Sequence, residues 1–169
     1  MNTSKDTSKL AIFEQIKTYI NNQGFTIANA DDSRPWGGFL VIDETQAPLF
    51  IETFFPQFSI ADFAGFEKLS PKILLVAPNT RLSWQYHFRR SEIWTVIAGN
   101  AAIVRSETDE ENTQESLPLG STISLKQGER HRLVGVDEWG IIAEIWQHTD
   151  PQNPSDEDDI VRVQDDFGR

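Results

Sequence analysis

Residues 82–100 read LSWQYHFRRSEIWTVIAGN and carry three side chains that can ligate a metal ion. Alternate residues of a β-strand share one face, so Gln85 and His87 are predicted to point the same way. Glu92 follows His87 by five positions, an odd step, so a bend must place it in the next strand. The stretch therefore predicts two neighbouring strands whose side chains face one ion.

A second segment, GSTISLKQGERHRLVG at residues 120–135, has the pattern of a strand, a Gln-Gly turn and another strand. His131 follows the turn, where we expect it to face the same interior. An imidazole, a carboxylate and an amide oxygen suit a borderline or hard divalent cation such as zinc, manganese or iron. The candidate ligands are Gln85, His87, Glu92 and His131.

Short runs rich in β-branched and aromatic residues follow one another from residue 39 onward, separated by turn signals. No helical pattern alternates with them, which argues against a parallel βαβ sheet and favours a sandwich, jelly roll or small barrel. The predicted strands are residues 39–42, 49–55, 73–77, 93–98, 101–104, 121–125, 132–136 and 141–146.

The segment Ser8–Asn22 has the apolar spacing of an amphipathic helix, and Gly24 follows its end. We expect it to form a helical extension, residues 1–32, packed outside a β-domain of residues 33–169. The acidic runs at residues 107–115 and 150–159 are predicted to be solvated loops.

Composition excludes several kinds of protein and site. The 169 residues suffice for one domain with a proper core, and the absence of cysteine excludes thiolate zinc sites, cysteine nucleophiles and disulfides. A formal net charge of -11 argues against nucleic acid or an anionic membrane as a partner. Neither a signal-peptide pattern nor an apolar stretch of membrane-spanning length occurs, so we expect a cytoplasmic protein.

Both segments resemble the motifs of the cupin superfamily. The first motif, G-x5-HxH-x4-E-x6-G, resembles Asn79–Gly99 with every spacing kept, with Asn for the first Gly and Gln85 for the first His. The second, G-x5-PxG-x2-H-x3-N, resembles Gly120–Gly135 with Lys126 for Pro and Gly for Asn. The resemblance implies an all-β fold, the cupin double-stranded β-helix or jelly-roll barrel, with the candidate ligands inside it.

Within the cupins, the chain is similar to the isomerase domain of type II mannose-6-phosphate isomerases. The similarity is carried by RPWGGF at residues 34–39, RLSWQYHFRRSEIW at 81–94 and EDDIVRVQDDFGR at 157–169. It covers residues 33–169 and none of the guanylyltransferase domain of the bifunctional members. It implies aldose–ketose isomerisation of mannose 6-phosphate or a related sugar phosphate, and a homodimer. The implied cofactor is one divalent ion, zinc or else manganese, iron, cobalt or magnesium.

The resemblance also suggests residues for substrate and catalysis. Phosphate needs fixed cations, and arginine offers paired planar donors. The candidates are Arg162 and Arg169 at family positions in the tail, then Arg90, Arg132 and Lys126. By spacing alone, the two tail arginines suit salt bridges with neighbouring aspartates equally well. Candidates for the base that moves the proton are Glu144 and His148. In RPWGG, Pro35 and Gly37 are interpreted as a turn that starts a strand.

Three positions depart from the family pattern QxHHHRAEHW, because Phe88, Arg89 and Ile93 stand where histidines are usual. Alternatives to mannose-6-phosphate isomerase therefore stay open. They are an isomerase for another sugar phosphate such as a heptose phosphate, a cupin that binds a sugar or sugar phosphate without turnover, and a metal-dependent cupin of another reaction type such as an oxygenase. Gln85 and the arginine-bearing tail argue against the oxygenase.

Overall fold

Eleven strands and two α-helices make up the chain, whose computed structural model describes residues 1–169. The helices are α1 (Lys9–Asn22) and α2 (Ala47–Phe54). The strands are β1 (Ile27–Asp31), β2 (Gly37–Ile42), β3 (Lys72–Val76), β4 (Trp84–Tyr86), β5 (Arg90–Ala98), β6 (Ala101–Ser106), β7 (Glu115–Leu117), β8 (Thr122–Leu125), β9 (Arg130–Val134), β10 (Gly140–His148) and β11 (Val161–Gln164). No helix is both long and apolar enough to cross a membrane.

The strands form two antiparallel sheets. One has the order β1-β2-β3-β10-β5-β8 and the other β11-β4-β9-β6-β7. From β3 to β11 the chain passes repeatedly from one sheet to the other, which is the connectivity of a jelly-roll barrel rather than of two separate meanders. The predicted all-β jelly-roll class is confirmed. This connectivity brings residues from distant parts of the sequence, such as β4 and β11, side by side.

The middle of the six-stranded sheet is covered on both faces, so β2, β3, β5 and β10 are buried along most of their length, whereas the edge strands β1 and β8 are not. In β10, Ile141, Ala143 and Ile145 join a core shared with α1 and α2 outside the barrel. Ile142 joins the core between the two sheets. Because side chains alternate between faces, Glu144 is directed into the barrel as well. The inward face of β10 thus belongs to the site.

The prediction of a strand at residues 49–55 is wrong, because this segment lies in helix α2. The composition, rich in phenylalanine and isoleucine, resembles that of a strand. The period is helical, however, since the buried residues Ala47, Phe50, Ile51 and Phe54 recur at i, i+3, i+4 and i+7. Pro48 stands in the first turn, where its missing N–H breaks no helical hydrogen bond.

Residues 1–32 contain strand β1 in addition to the predicted helix. β1 pairs antiparallel with β2 and so extends the six-stranded sheet. Strands β7 and β11 were not predicted either, because both are short and largely polar. Of these, β11 matters for the site. It pairs with β4 and returns the tail to the barrel mouth.

Candidate metal centre and substrate cleft

Three of the predicted ligands come together inside the barrel. Ligand atoms of His87, Glu92 and His131 all lie within 4.8 Å of one another, and each residue is at most 2% exposed. His87 follows β4, Glu92 lies in β5 of the opposite sheet, and His131 lies in β9. The group therefore forms only when the two sheets face each other.

Backbone carbonyls orient both imidazoles. Nδ1 of His87 is 2.6 Å from the carbonyl oxygen of Asp159, and Nδ1 of His131 is 2.9 Å from that of Glu129. A carbonyl can only accept, so each Nδ1 carries the proton and each Nε2 presents a lone pair. The two Nε2 atoms lie 3.2 and 3.4 Å from the oxygens of Glu92. Metal-ligating histidines are commonly held in this way.

Two atoms of this group have no hydrogen-bond partner, although they are fully buried. They are Oε2 of Glu92 and Nε2 of His131. Buried polar atoms without a partner are costly, and two lone pairs that face each other need a cation between them. A divalent metal ion satisfies both atoms, so the residues present fit the predicted metal.

The ionisation of the group also suits a metal. Burial lowers the pKa of His87 to about 3, so the imidazole is neutral at pH 7. Burial opposes ionisation of Glu92, but its interactions with His87 and Arg90 hold its pKa well below the usual range, and at pH 7, where His87 is neutral, Arg90 supplies the positive charge. Burial likewise opposes protonation of His131, but the Glu92 carboxylate outweighs it and raises the pKa of His131. A proton or a metal ion can therefore supply the cation that the Glu92–His131 pair needs.

Arg90 lies against the ligands. Its Nε donates to Oε1 of Glu92 at 2.7 Å, and its Nη2 is 3.1 Å from Nε2 of His87. Its guanidinium also lies 3.7 Å from the ring centroid of Trp146. Arg90 thus engages one atom of each of two ligands and leaves Glu92 Oε2 free.

Gln85, the fourth predicted ligand, lies beside the group. It is paired directly with His131 across β4 and β9, and it lines the same cleft as Glu92. Its Oε1 accepts a hydrogen bond from the hydroxyl of Ser83 at 2.5 Å.

A cleft of about 650 Å³, including the space at its mouth, opens beside the ligands. Five basic and three acidic side chains line it, although the chain as a whole is strongly acidic. The basic residues are Arg34, Lys72, Arg90, Arg162 and Arg169, the acidic ones are Glu92, Glu144 and Glu157, and the aromatic ones are Trp36, Phe39, Trp94 and Trp146. The cleft therefore suits an anionic ligand.

The structure places the candidate phosphate-binding residues in different parts of the molecule. Arg162 and Arg169 line the cleft together with Arg90. Arg132 is fully buried elsewhere, where it donates to the carbonyl of Leu82 at 3.0 Å and to Glu111 at 2.8 Å. Lys126 is exposed, and its ammonium lies 3.7 Å from Glu107. Neither Arg132 nor Lys126 lines the cleft.

The two candidate bases are also separated. Glu144 lines the cleft, and its Oε1 accepts a hydrogen bond from Nε1 of Trp94 at 2.9 Å. Burial, together with the negative charge of Glu92, raises the pKa of Glu144 to about 8. Glu144 is therefore largely a neutral carboxylic acid at pH 7.

His148 lies outside the cleft. Its Nδ1 accepts a hydrogen bond from the backbone N–H of Ser155 at 2.9 Å, so its proton is on Nε2, 3.0 Å from the Ser70 hydroxyl. Burial, with the nearby positive charge of Lys68, lowers its pKa to about 4. With its lone pair used by the backbone, His148 is poorly placed to act as a base.

The tail segment before β11 packs on the loop Phe88–Arg89 that follows His87. The prediction that residues 150–159 form a solvated loop is therefore wrong for the end of that segment. Asp159 is only 5% exposed and accepts hydrogen bonds from the backbone N–H groups of Phe88 and Arg89 at 3.1 and 3.0 Å. Ser155 donates to Asp159 at 2.6 Å and accepts from Arg90 at 2.8 Å. The acidic composition of this segment does not indicate these contacts. The only sequence signal for Asp159 is its place in the EDDIVR stretch that carries the family resemblance.

Two basic residues of the cleft were not predicted from the sequence. Arg34 stands in the RPWGGF stretch, which was interpreted as a turn. Lys72 is buried in β3, with its ammonium 3.6 Å from the ring centroid of Trp146 and paired with Glu157. The run KILLV reads as an ordinary buried strand, so no local signal marks Lys72.

The three departures from the family pattern lie away from the ligands. Ile93 is buried in the core shared with the helices, on the opposite face of β5 from Glu92. Phe88 is 60% exposed, and Arg89 binds the tail through Asn153 at 2.6 Å. None of these side chains joins the His87–Glu92–His131 group.

Comparison with known proteins decides the family. Residues 52–165 match the family model described as mannose-6-phosphate isomerase C-terminal. The chain belongs to this family. It is 29% identical over 141 residues, 80% of its length, to the xanthan biosynthesis protein XanB of Xanthomonas campestris pv. campestris strain ATCC 33913. The protein of the same name from strain B100 is 28% identical over the same length. The chain spans 23% of each of these relatives.

Solved structures share the fold of this family member at low sequence identity. The capsular polysaccharide assembling protein CapF of Staphylococcus aureus matches 83% of the chain and 34% of its own length, with a TM-score of 0.55 and 13% identity. Vicilin of tomato, Solanum lycopersicum, matches 79% of the chain and 36% of its own length, with a TM-score of 0.54 and 19% identity. Such identities speak for the fold alone. Together with the sheet topology, they confirm the predicted cupin jelly roll.

Proposed function

We propose that the chain is a metal-dependent sugar-phosphate isomerase, with mannose 6-phosphate as the leading substrate. The observation that carries this proposal is the arrangement of the cleft, where a buried His–Glu–His group lies beside a neutral buried carboxyl and several arginines. Membership of the mannose-6-phosphate isomerase C-terminal family supports the choice of substrate.

The chain's own residues suit the proton transfer of an aldose–ketose interconversion. The reaction moves a proton between two neighbouring carbons, and the best acid or base has a pKa near the working pH. Glu144 meets this condition in the metal-free protein, where its pKa is about 8. Trp94 holds Oε1 of Glu144, which leaves Oε2 to exchange a proton with the substrate. We therefore assign Glu144, rather than His148, as the proton-transferring group.

The other residues of the site bind and orient the metal ion and the substrate. His87, Glu92 and His131, with Gln85 beside them, would hold a divalent ion that supplies Lewis-acid stabilisation of charge on the sugar oxygens. The arginines of the cleft hold the phosphate. Trp36, Trp94 and Trp146 offer apolar faces to the sugar carbons.

A coupled assay for conversion of mannose 6-phosphate to fructose 6-phosphate, with and without chelator, tests the proposal. We expect turnover that chelator abolishes and added metal restores. Glu144→Gln should lower kcat by roughly 10²-fold or more, whereas His148→Gln should retain turnover. Absence of turnover with any sugar phosphate, despite a metal-loaded site, would show that the proposal is wrong.

A sugar-phosphate-binding protein without turnover is the second candidate, and Arg90 is the observation that favours it. An internal cation already binds Oε1 of Glu92 and Nε2 of His87, and a proton on Nε2 of His131 would satisfy the remaining pair, so the group does not require a catalytic metal. Binding of mannose 6-phosphate by metal-loaded protein that does not convert it would select this function.

A further inference from the structure

We propose that Arg34 completes a phosphate subsite with Arg162 and Arg169, placed one strand away from Gln85, so that the cleft selects a sugar monophosphate by length. The inference rests on the proposed function for the identity of the sugar. The assignment of Arg34, and the spacing between phosphate and metal group, come from the geometry of the cleft alone.

Three arginines from separate parts of the chain meet in the cleft. Arg34 lies before β2, Arg162 lies in β11, and Arg169 follows β11. Nε of Arg34 is fixed by Asp31 at 2.7 Å, and Arg169 is fixed by Asp165 at 2.9 and 3.0 Å. These carboxylates orient the two guanidinium groups and leave some of their N–H donors for a ligand.

Arg162 differs from its two neighbours because no hydrogen bond or ion pair within the chain engages its side chain. All three arginines line the cleft, where desolvation and the charges of Arg169 and Arg34 lower the pKa of Arg162 and those of Asp165 and Asp158 raise it. Asp31 and Asp165 offset the charges of Arg34 and Arg169, so the charge of Arg162 is the one that an added anion would balance. A phosphate, with three acceptor oxygens, suits this surplus of donors.

The strand register sets the distance from this subsite to the metal group. Arg162 is paired with Gln85 across β11 and β4, and Gln85 is paired with His131 across β4 and β9. Neighbouring strands are about 4.8 Å apart, so Arg162 stands about 5 Å from Gln85 and about 10 Å from His131 along this row. A phosphate at one end and reacting hydroxyls at the other fit the length of a single sugar.

This spacing favours a sugar whose phosphate is on the carbon far from the reacting carbons. A sugar 1-phosphate or a nucleotide sugar carries its phosphate on a carbon at the reacting end. It cannot place the phosphate on the arginines and the same reacting carbons at the metal group. The cleft should therefore bind mannose 6-phosphate through its phosphate at the arginines and its reacting carbons at the metal group. Mannose 1-phosphate can make only one of these two contacts.

Binding measured by calorimetry, separately from turnover, tests the subsite. For Arg34→Gln we expect the Kd of inorganic phosphate and of mannose 6-phosphate to rise roughly tenfold or more, as for loss of a charge-assisted contact. Unphosphorylated mannose should bind wild type and variant alike. Arg34→Lys should retain part of the affinity. The matched control is Arg105→Gln, which removes a half-buried arginine paired with Glu115 outside the cleft and should leave the Kd of phosphate and of mannose 6-phosphate unchanged.

Two further arms keep the test decisive. Arg162→Gln breaks no ion pair of the chain, so it should stay folded and lose phosphate affinity even if an Arg34 variant proves unstable. Metal should tighten binding of mannose 6-phosphate but not of mannose 1-phosphate. Unchanged phosphate affinity in folded Arg34→Gln, or equal metal-dependent gains for both sugar phosphates, would overturn the inference.

The outcome is independent of the isomerase assay. If Arg34→Gln turns over mannose 6-phosphate with the KM and Kd of the wild type, the subsite assignment is wrong and the proposed function stands. If the variants lose phosphate binding and the wild type shows no turnover, the subsite assignment is supported and the proposed isomerase function is wrong.

Discussion

Nε of Arg90 donates a hydrogen bond to Oε1 of Glu92 over 2.7 Å, and the two side chains are 5% and 2% exposed. This buried pair gives Glu92 a permanent internal cation on one oxygen while the other oxygen faces His131. A metal ion that binds Glu92 must therefore share the carboxylate with Arg90 or displace it.

Arg90→Met should tighten metal binding and lower the stability of the metal-free protein. Removing the guanidinium leaves Glu92 buried without its charge partner, which costs about 3–5 kcal/mol of unfolding free energy. A divalent ion then replaces the lost positive charge. Denaturant unfolding with chelator and with zinc measures both effects.

The control for this variant is Arg81→Met, which removes an exposed arginine paired with Asp166 and should cost at most about 1 kcal/mol. If Arg90→Met gains no more stability from zinc than wild type does, the pair does not compete with the metal.

The three histidines of the chain provide a matched test of the ligand group. His87→Ala and His131→Ala each remove an Nε2 that faces Glu92, so both variants should lose bound metal. His148→Gln removes a histidine that lies outside the group and should retain the wild-type metal content. Elemental analysis after dialysis gives the stoichiometry. Metal retained by both alanine variants would show that the ion binds elsewhere.

Restoring the family histidine at position 93 should not improve the site. Ile93 is 4% exposed in the core shared with the helices, so Ile93→His buries a polar ring among apolar side chains and should cost about 2–4 kcal/mol. Phe88→His changes an exposed side chain and should stay within about 0.5 kcal/mol of wild type. Thermal unfolding and zinc titration measure both variants. A rise in zinc affinity for Ile93→His would contradict the placement of residue 93.

The pKa of Glu144 predicts a pH dependence of stability in the metal-free protein. Its pKa is about 8 when folded, against an ordinary value of 4.5, so the folded state binds more protons between these values. The contribution of Glu144 is therefore complete below pH 4.5 and is lost as the pH rises through about 8. The slope for one such group is at most about 1.4 kcal/mol per pH unit.

Glu144→Gln removes this titration while Gln can still accept the hydrogen bond from Trp94. Urea unfolding at pH 5.5 and 8.5 measures the free energy of unfolding. Relative to wild type, this free energy should be higher for the variant at pH 8.5 than at pH 5.5. Glu14→Gln, which removes an exposed carboxylate of helix α1 paired with Lys17 away from the cleft, is the control and should show no such gain. Parallel pH profiles for wild type and Glu144→Gln would show that Glu144 is ionised throughout.

The sequence by itself determined the fold class and predicted that His87, Glu92 and His131 come together inside the barrel. The spacing of Gln85, His87 and Glu92, and of His131 after its turn, follows from the two-residue period of strands and the turns between them. These are local properties, so they can be predicted from neighbouring residues. The same local reasoning failed for α2, because four buried apolar residues at helical spacing lie in a run whose composition resembles a strand.

Only the tertiary structure decided which charged residues share the cleft. Arg34, Lys72 and Arg162 are far apart in the chain and meet because β2, β3 and β11 come together at one end of the barrel. It also decided which residues do not meet there, since Arg132 and His148 are basic or titratable by type but face other partners. The physical reason is that sheet pairing between distant strands, rather than local sequence, sets which side chains lie across from one another. The pairing of Arg162 with Gln85 across β11 and β4 is the clearest case.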